Sequence, residues 1–113
     1  VHELSIACEL VKSAAAEAER HGAARVVGLD LVLGALTGVE PDALVFAFPV
    51  AAAGTRCDGA ELRIEIERAK GRCVDCSATS EVDSLMSACP ECGAWPIGLE
   101  GGREMRLRSV EVT

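Results

Sequence analysis

The sequence predicts an α+β fold: two helices packed on a small sheet of about three strands, with a small four-cysteine domain inserted ahead of the last strand. Three observations predict it. An amphipathic helical stripe opens the chain, a cleanly alternating segment lies in its second half, and two C-x-x-C pairs separate that segment from a final alternating one. The 113 residues suit one domain, or one small domain carrying a smaller insertion. The expected division is residues 1–70 plus 100–113 for the α/β domain and 71–99 for the insertion.

The first helix is expected over Leu4 to Arg20, where Leu4, Ala7, Val11, Ala14 and Ala18 recur at steps of three and four. Glu3 and Glu9 near its start, and Arg20 and His21 near its end, suit the helix dipole, and Gly22 supplies a stop. Arg25 to Leu33 reads as a strand with Val27, Leu29, Leu31 and Leu33 on one face, and Val26 and Val32 make the other face partly apolar. Turn chemistry follows from Gly34 to Gly38.

A second helix is expected to begin near Pro41, since proline suits the first helical position, and Gly54 is a natural terminator. Pro49 removes a hydrogen bond and crowds the carbonyl of Val45, so the expectation is a kink or an early end near Phe48. Glu61 to Arg68 is a half-buried strand, with Leu62, Ile64 and Ile66 facing one way and Arg63, Glu65 and Glu67 the other. The third strand is expected over Arg103 to Val112, with a phase slip, and so a bulge, at Ser109-Val110.

Composition narrows the function. The chain is 50% hydrophobic but only 3% aromatic, so its core must be built from Ala, Val, Leu and Ile. A formal net charge of −7 excludes a global basic field for nucleic acid. The longest apolar stretch, Ala43 to Ala53, falls short of a membrane span and contains Pro49. The opening residues do not read as a secretory signal, and a reducing cytoplasmic compartment is the expectation, which disfavours a disulfide framework.

Cys73, Cys76, Cys89 and Cys92 form two C-x-x-C pairs with twelve residues between them. Each pair sets two thiolates on one tight turn, and two such turns close a tetrahedron around Zn²⁺, with iron the second choice. Four thiolates leave no open position for water, so such a site is structural. Paired disulfides or a dithiol couple form the competing reading, but a redox C-x-x-C is single and opens a helix in a βαβ setting. Cys8 and Cys57 lie outside the pattern, Cys8 as a small apolar helix residue and Cys57 in a polar loop.

His2 is a second candidate ligand. The Val1 α-amine, the His2 amide nitrogen and the His2 imidazole can chelate one ion in five- and six-membered rings. Such a nearly planar nitrogen set suits Ni²⁺ or Cu²⁺. Glu3 offers a further backbone nitrogen or a carboxylate oxygen. Val1 fits a GTG start read as Met, or a processed or engineered end.

These pieces, taken in order, resemble the HypA/HybF family of hydrogenase maturation nickel-insertion proteins. Val1-His2-Glu3-Leu4-Ser5-Ile6 resembles that family's Met-His-Glu-Leu-Ser-Ile opening. Gly34-Ala35-Leu36-Thr37-Gly38-Val39 resembles its Gly-Glu-Leu-Ser-Gly-Val turn, Ala43 to Phe48 its second helix, and the doubled C-x-x-C and Arg103-Glu104-Met105-Arg106 complete the set. The resemblance implies a metallochaperone with nickel as transferred cargo bound around His2 and Glu3, the Val1 amine contributing, and a structural zinc in the cysteine insertion. Glu40 falls where relatives carry an acidic residue near the nickel site. The implied partners are a nickel-loading GTPase and the hydrogenase large subunit, with urease served in some relatives. Ala35 replaces the acidic residue of the turn, and Ser77, Ala78 and Gly93 stand where some relatives have histidines.

Two other readings compete: a zinc-ribbon adaptor and a rubredoxin-like iron electron carrier. Asp75, Glu81, Asp83 and Glu91 outnumber nearby cations and leave a nucleic-acid adaptor without phosphate contacts; Trp95 alone is available for stacking. No phosphate-binding glycine loop or nucleophile–base pair is evident, so no enzymatic activity is expected, and His21 is explained by its place at a helix end.

Overall fold

The computed structural model of the chain describes residues 2–82, 87–95 and 97–113. Its elements are α1 (Glu3–Arg20), β1 (Val26–Gly34), α2 (Pro41–Ala52), β2 (Glu61–Glu67), β3 (Ala69–Arg72), β4 (Thr79–Val82), β5 (Gly98–Glu100) and β6 (Met105–Val112). They form two three-stranded sheets, in the orders β2-β1-β6 and β4-β3-β5. The chain divides into two compact units. The first comprises Val1–Val32, Val39–Glu65 and Arg106–Thr113, and the second Leu33–Gly38 and Ile66–Met105.

In the first unit the two helices pack on the sheet, as the sequence predicts. Ala7, Leu10, Val11, Ala14 and Ala18 of α1 are buried with Val26, Leu29 and Leu31 of β1 and Leu44, Phe48 and Ala52 of α2. Leu4 does not join them: it is half exposed in the first turn, and Leu10 fills the stripe instead. Leu62 and Ile64 of β2 pack on this core, but Ile66, where the second unit begins, is exposed.

Pro49 does not end α2, which continues to Ala52. A proline disturbs mainly the turn before it, and here only one turn remains after it; the Ala53 N–H still donates to the Pro49 carbonyl at 3.1 Å. Val45, whose carbonyl loses its bond, lies on the exposed side of the helix. Cys57 also departs from expectation. Its loop is polar, but the side chain is fully buried in the core, its thiol 3.8 Å from the Val11 carbonyl oxygen. Burial pushes that thiol up from its ordinary value.

The opposite face of the sheet is held by Arg63. Its guanidinium donates to both oxygens of Asp30 on β1 at 2.8 and 3.2 Å, to Glu61 on its own strand at 2.9 Å and to Glu111 on β6 at 3.2 Å. Asp30 also accepts from the Ser109 hydroxyl at 2.7 Å. Gly28 makes room for this, since a Cβ there would lie 2.5 to 2.9 Å from guanidinium atoms. The slip foreseen in the last strand is visible in these partners. Leu107 and Val110 both pack on the core, while Arg108 reaches Glu65 and Ser109 reaches Asp30 on the other side. Two successive outward residues need one extra residue in the strand.

The second unit takes in the turn at Leu33–Gly38 and the whole of β3. β3 is its middle strand, antiparallel to β4 (Ala69 opposite Val82) and to β5 (Lys70 opposite Glu100). The Leu36 N–H donates to Gly102 and Leu36 packs on a small core of Ala69, Cys73, Val82, Cys89 and Ile97.

Hydrogen bonding to Arg63, then to Ser109, holds the Asp30 carboxyl down at about 2. The unfolded value is about 3.9, so the folded state gains stability above that pH and loses it as pH falls through 2. Thermal melting of the protein should therefore drop between about pH 4 and pH 2, and Asp30→Asn should melt lower at neutral pH with a shallower acid decline.

Candidate metal centre

Two tight turns build the centre, and they match residue for residue at an offset of sixteen positions. In the first, the Ser77 N–H donates to the Cys73 carbonyl at 2.9 Å and the Cys73 N–H to the Ala78 carbonyl at 3.0 Å. In the second, the Gly93 N–H donates to Cys89 at 2.8 Å and the Cys89 N–H to Ala94 at 2.9 Å. Each turn needs a left-handed residue after its second cysteine: Gly93 at φ 78° and, without the freedom of glycine, Ser77 at φ 63°. Ser77 carries a strain that the sequence reading did not notice; its signal is the alignment of the two turns, which sets Ser77 opposite Gly93.

The four thiols converge. All their sulfurs lie within 4.8 Å of one another, with Cys73 to Cys92 at 3.5 Å and Cys76 to Cys89 at 3.7 Å. These separations are far beyond the ~2.05 Å of a disulfide. Metal–sulfur bonds of about 2.3 Å in a tetrahedron require sulfurs about 3.8 Å apart, so the residues fit a tetrathiolate metal, zinc by donor chemistry. Cys73 and Cys89 are buried and Cys76 and Cys92 exposed, so each turn contributes one buried and one exposed cysteine to the cluster.

Electrostatics inside the cluster suit a cation. The Cys92 N–H, helped by that of Glu91, holds the Cys89 thiol down at about 7. The Ala94 N–H acts in the same direction on Cys92, but hydrogen bonds with Cys73 and Cys76 outweigh it and push that thiol up to about 12. Four sulfurs this close cannot all ionise beside one another; a bound divalent cation removes that conflict.

The other candidate ligands lie elsewhere in the chain. His2 is the N-cap of α1, exposed, with no side-chain capping bond, and Glu3 begins the first turn. Glu40 is the exposed N-cap of α2, its carboxylate accepting from the Asp42 N–H at 3.4 Å. The Val1 amine lies outside the described residues. Among the described residues the cysteine cluster is the one place where three or more metal-binding side chains converge, so His2, Glu3 and Glu40 do not form a second such group.

Comparison with known proteins places these features together. The family model described as "Hydrogenase/urease nickel incorporation, metallochaperone, hypA" matches residues 1–112. The hydrogenase maturation factor HypA of Chlorobaculum tepidum is 41% identical over 112 residues, covering 99% of both chains. That of Desulfitobacterium hafniense is 41% identical over 99% of this chain and 98% of its own. The solution structure of the Ni metallochaperone HypA from Helicobacter pylori superposes with a TM-score of 0.69 at 25% identity, covering 99% of this chain and 97% of that one.

Replacing Cys73 by Ser should remove the bound metal and unfold the small unit, read by metal analysis and circular dichroism. Gly93→Val should weaken zinc retention, because a branched side chain at positive φ costs about 1–3 kcal/mol although nothing obstructs its Cβ. Ser77→Gly should retain a full equivalent.

Proposed function

The chain belongs to the HypA family of nickel metallochaperones of hydrogenase maturation, and from that premise we propose how its residues divide the work. The α/β domain carries Ni²⁺ as cargo around His2, while Cys73, Cys76, Cys89 and Cys92 hold a structural zinc. The observation that carries the first half is the position of His2. It is exposed at the start of α1 with its imidazole uncommitted to capping. The first N–H groups of a helix have no intrahelical acceptor, so the His2 amide nitrogen can exchange its proton for a metal without breaking the helix. Imidazole, amide nitrogen and the Val1 amine then supply three nitrogens in nearly one plane, the geometry Ni²⁺ favours.

Glu3, next along the helix, supplies a carboxylate oxygen or its own amide nitrogen. Glu40 is the weaker candidate, since its carboxylate already caps α2. The zinc, once bound, contributes folding energy rather than reactivity, because all four positions belong to sulfur. The protein therefore acts by binding and delivery, without catalysis.

Delivery implies recipients. The nickel-loading GTPase and the hydrogenase large subunit are the proposed partners, with urease as a further client, and the setting is the cytoplasm. No helix among the described residues is long and apolar enough to cross a membrane. An adaptor or a rubredoxin-like electron carrier would account for the cysteine turns alone, whereas the family match runs over residues 1–112.

Titration of Ni²⁺ into untagged protein should show one strong site, and His2→Ala should weaken it by at least about tenfold, the least that loss of even a ligand's hydrogen-bond partner costs. Zinc content should stay the same. Equal nickel affinity and stoichiometry in the two proteins would falsify the assignment.

A further inference from the structure

His21 is the second of two histidines, and the nickel assignment at His2 leaves it unused. It caps the C-terminal end of α1, its Nε2 3.2 Å from Oε1 of Glu17, and neither side chain is buried. Ser13, Glu17 and His21 follow at four-residue steps and so share one face of the helix. That face forms one wall of a groove of about 540 Å³, and Leu107, Ser109 and Val110 of β6 line the other.

We propose that Glu17 Oε1 and His21 Nε2 chelate a divalent transition ion, Ni²⁺ being the one this family handles, and that water in the groove completes its coordination. An imidazole with a carboxylate is a donor set such ions accept. Bonds of about 2.1 Å to nitrogen and oxygen set neighbouring ligands about 3.0 Å apart at right angles and about 3.4 Å apart in a tetrahedron. The observed 3.2 Å falls between the two, so the pair is already spaced for chelation. In the free protein Nε2–H donates to the carboxylate oxygen. On binding, the ion stands between the two atoms and the neutral ring carries its proton on Nδ1.

The charges around the pair set its strength. The C-terminal end of a helix carries roughly half a negative charge, which favours a dication there. Arg20 opposes it: its Nη1 donates to the other Glu17 oxygen, Oε2, at 3.0 Å, and leaves Oε1 to His21. Arg108 also lines the groove, but its guanidinium donates to Glu65 on β2 at 3.0 Å. With two protein atoms as ligands, the site is weaker than one built from three nitrogens at His2. The 18 residues of α1, at about 1.5 Å each, keep the two ends about 27 Å apart, so each site is tested without disturbing the other.

The test is a Ni²⁺ titration of the full zinc-loaded chain, isotope-labelled and followed by nuclear magnetic resonance, in the unaltered protein and in His2→Ala. Ni²⁺ held by one imidazole, one carboxylate and water is paramagnetic and broadens the signals of nearby nuclei. In both proteins the later part of the titration should broaden the amides of residues 17–22 and the His21 ring, and leave the signals of the cysteine turns unchanged. In the His2→Ala background, His21→Ala should abolish this response and Glu17→Gln should weaken it by at least about tenfold. Arg20→Gln should strengthen it severalfold, because it removes the positive charge beside Oε2; an ion pair that binds no metal gives no such gain. None of the three side chains is buried, so each variant should fold, which circular dichroism checks. Residues 17–22 that stay sharp up to millimolar Ni²⁺, or broadening that survives His21→Ala, overturn the inference. Failure of the assignment at His2 reads out separately, as a strong site that survives His2→Ala.

Discussion

Close approach between α1 and its neighbours is the constraint on which the larger unit depends. A chain with almost no aromatic volume cannot fill a wide space between helices and sheet, and the separation of packed helices follows the size of the side chains between them. Ala7, Ala14 and Ala18 are all fully buried on one stripe of α1, so the helix backbone is drawn in until Leu10, Val11 and the β1 leucines complete the packing. A helix gripped along that stripe cannot rotate about its axis without exposing it. The direction in which His2 leaves the first turn is therefore fixed by alanines several turns away.

The smaller unit obeys a different rule. Among its described residues the core is Ala69, Val82 and Ile97 with Cys73 and Cys89, and its strands are three or four residues long. Strands this short order a segment of chain at a large entropic cost. A metal held by the four cysteines would help order this unit, in keeping with cysteine spacing, and not hydrophobic pattern, being the strongest signal in this half of the sequence.

The contrast decides what the sequence made legible. Both helices, the central strand and its two flanking strands declare themselves through periodicity, because each packs one face against a sizeable core. The two cysteine pairs declare themselves through spacing. Strands β3, β4 and β5 were not foreseen: Ala69–Arg72, Thr79–Val82 and Gly98–Glu100 are too short to alternate, and their pairing is imposed by the turns they flank. Leu4 and Ile66 show the limit of periodicity, which marks a face but not where the cover over that face ends. Cys57 shows the limit of reading a loop by composition, since Thr55 and Asp58 tie the loop so that one small side chain turns into the core. For the proposed nickel site, sequence position alone singles out His2, because the chemistry invoked there belongs to backbone nitrogens as much as to a side chain.

If His2 holds the cargo as proposed, its cap position has a thermodynamic consequence. The N-terminal end of a helix carries roughly half a positive charge from its aligned peptide dipoles. Anions are welcome there and a dication is opposed, by about 0.3–1 kcal/mol for each unit charge at an exposed terminus. Glu3 in the first turn offsets part of that opposition. On the proposed assignment, nickel at His2 would be bound against the field of the helix that presents it. That term would favour release to an acceptor lacking such a field by the same margin, a bias built into the secondary structure.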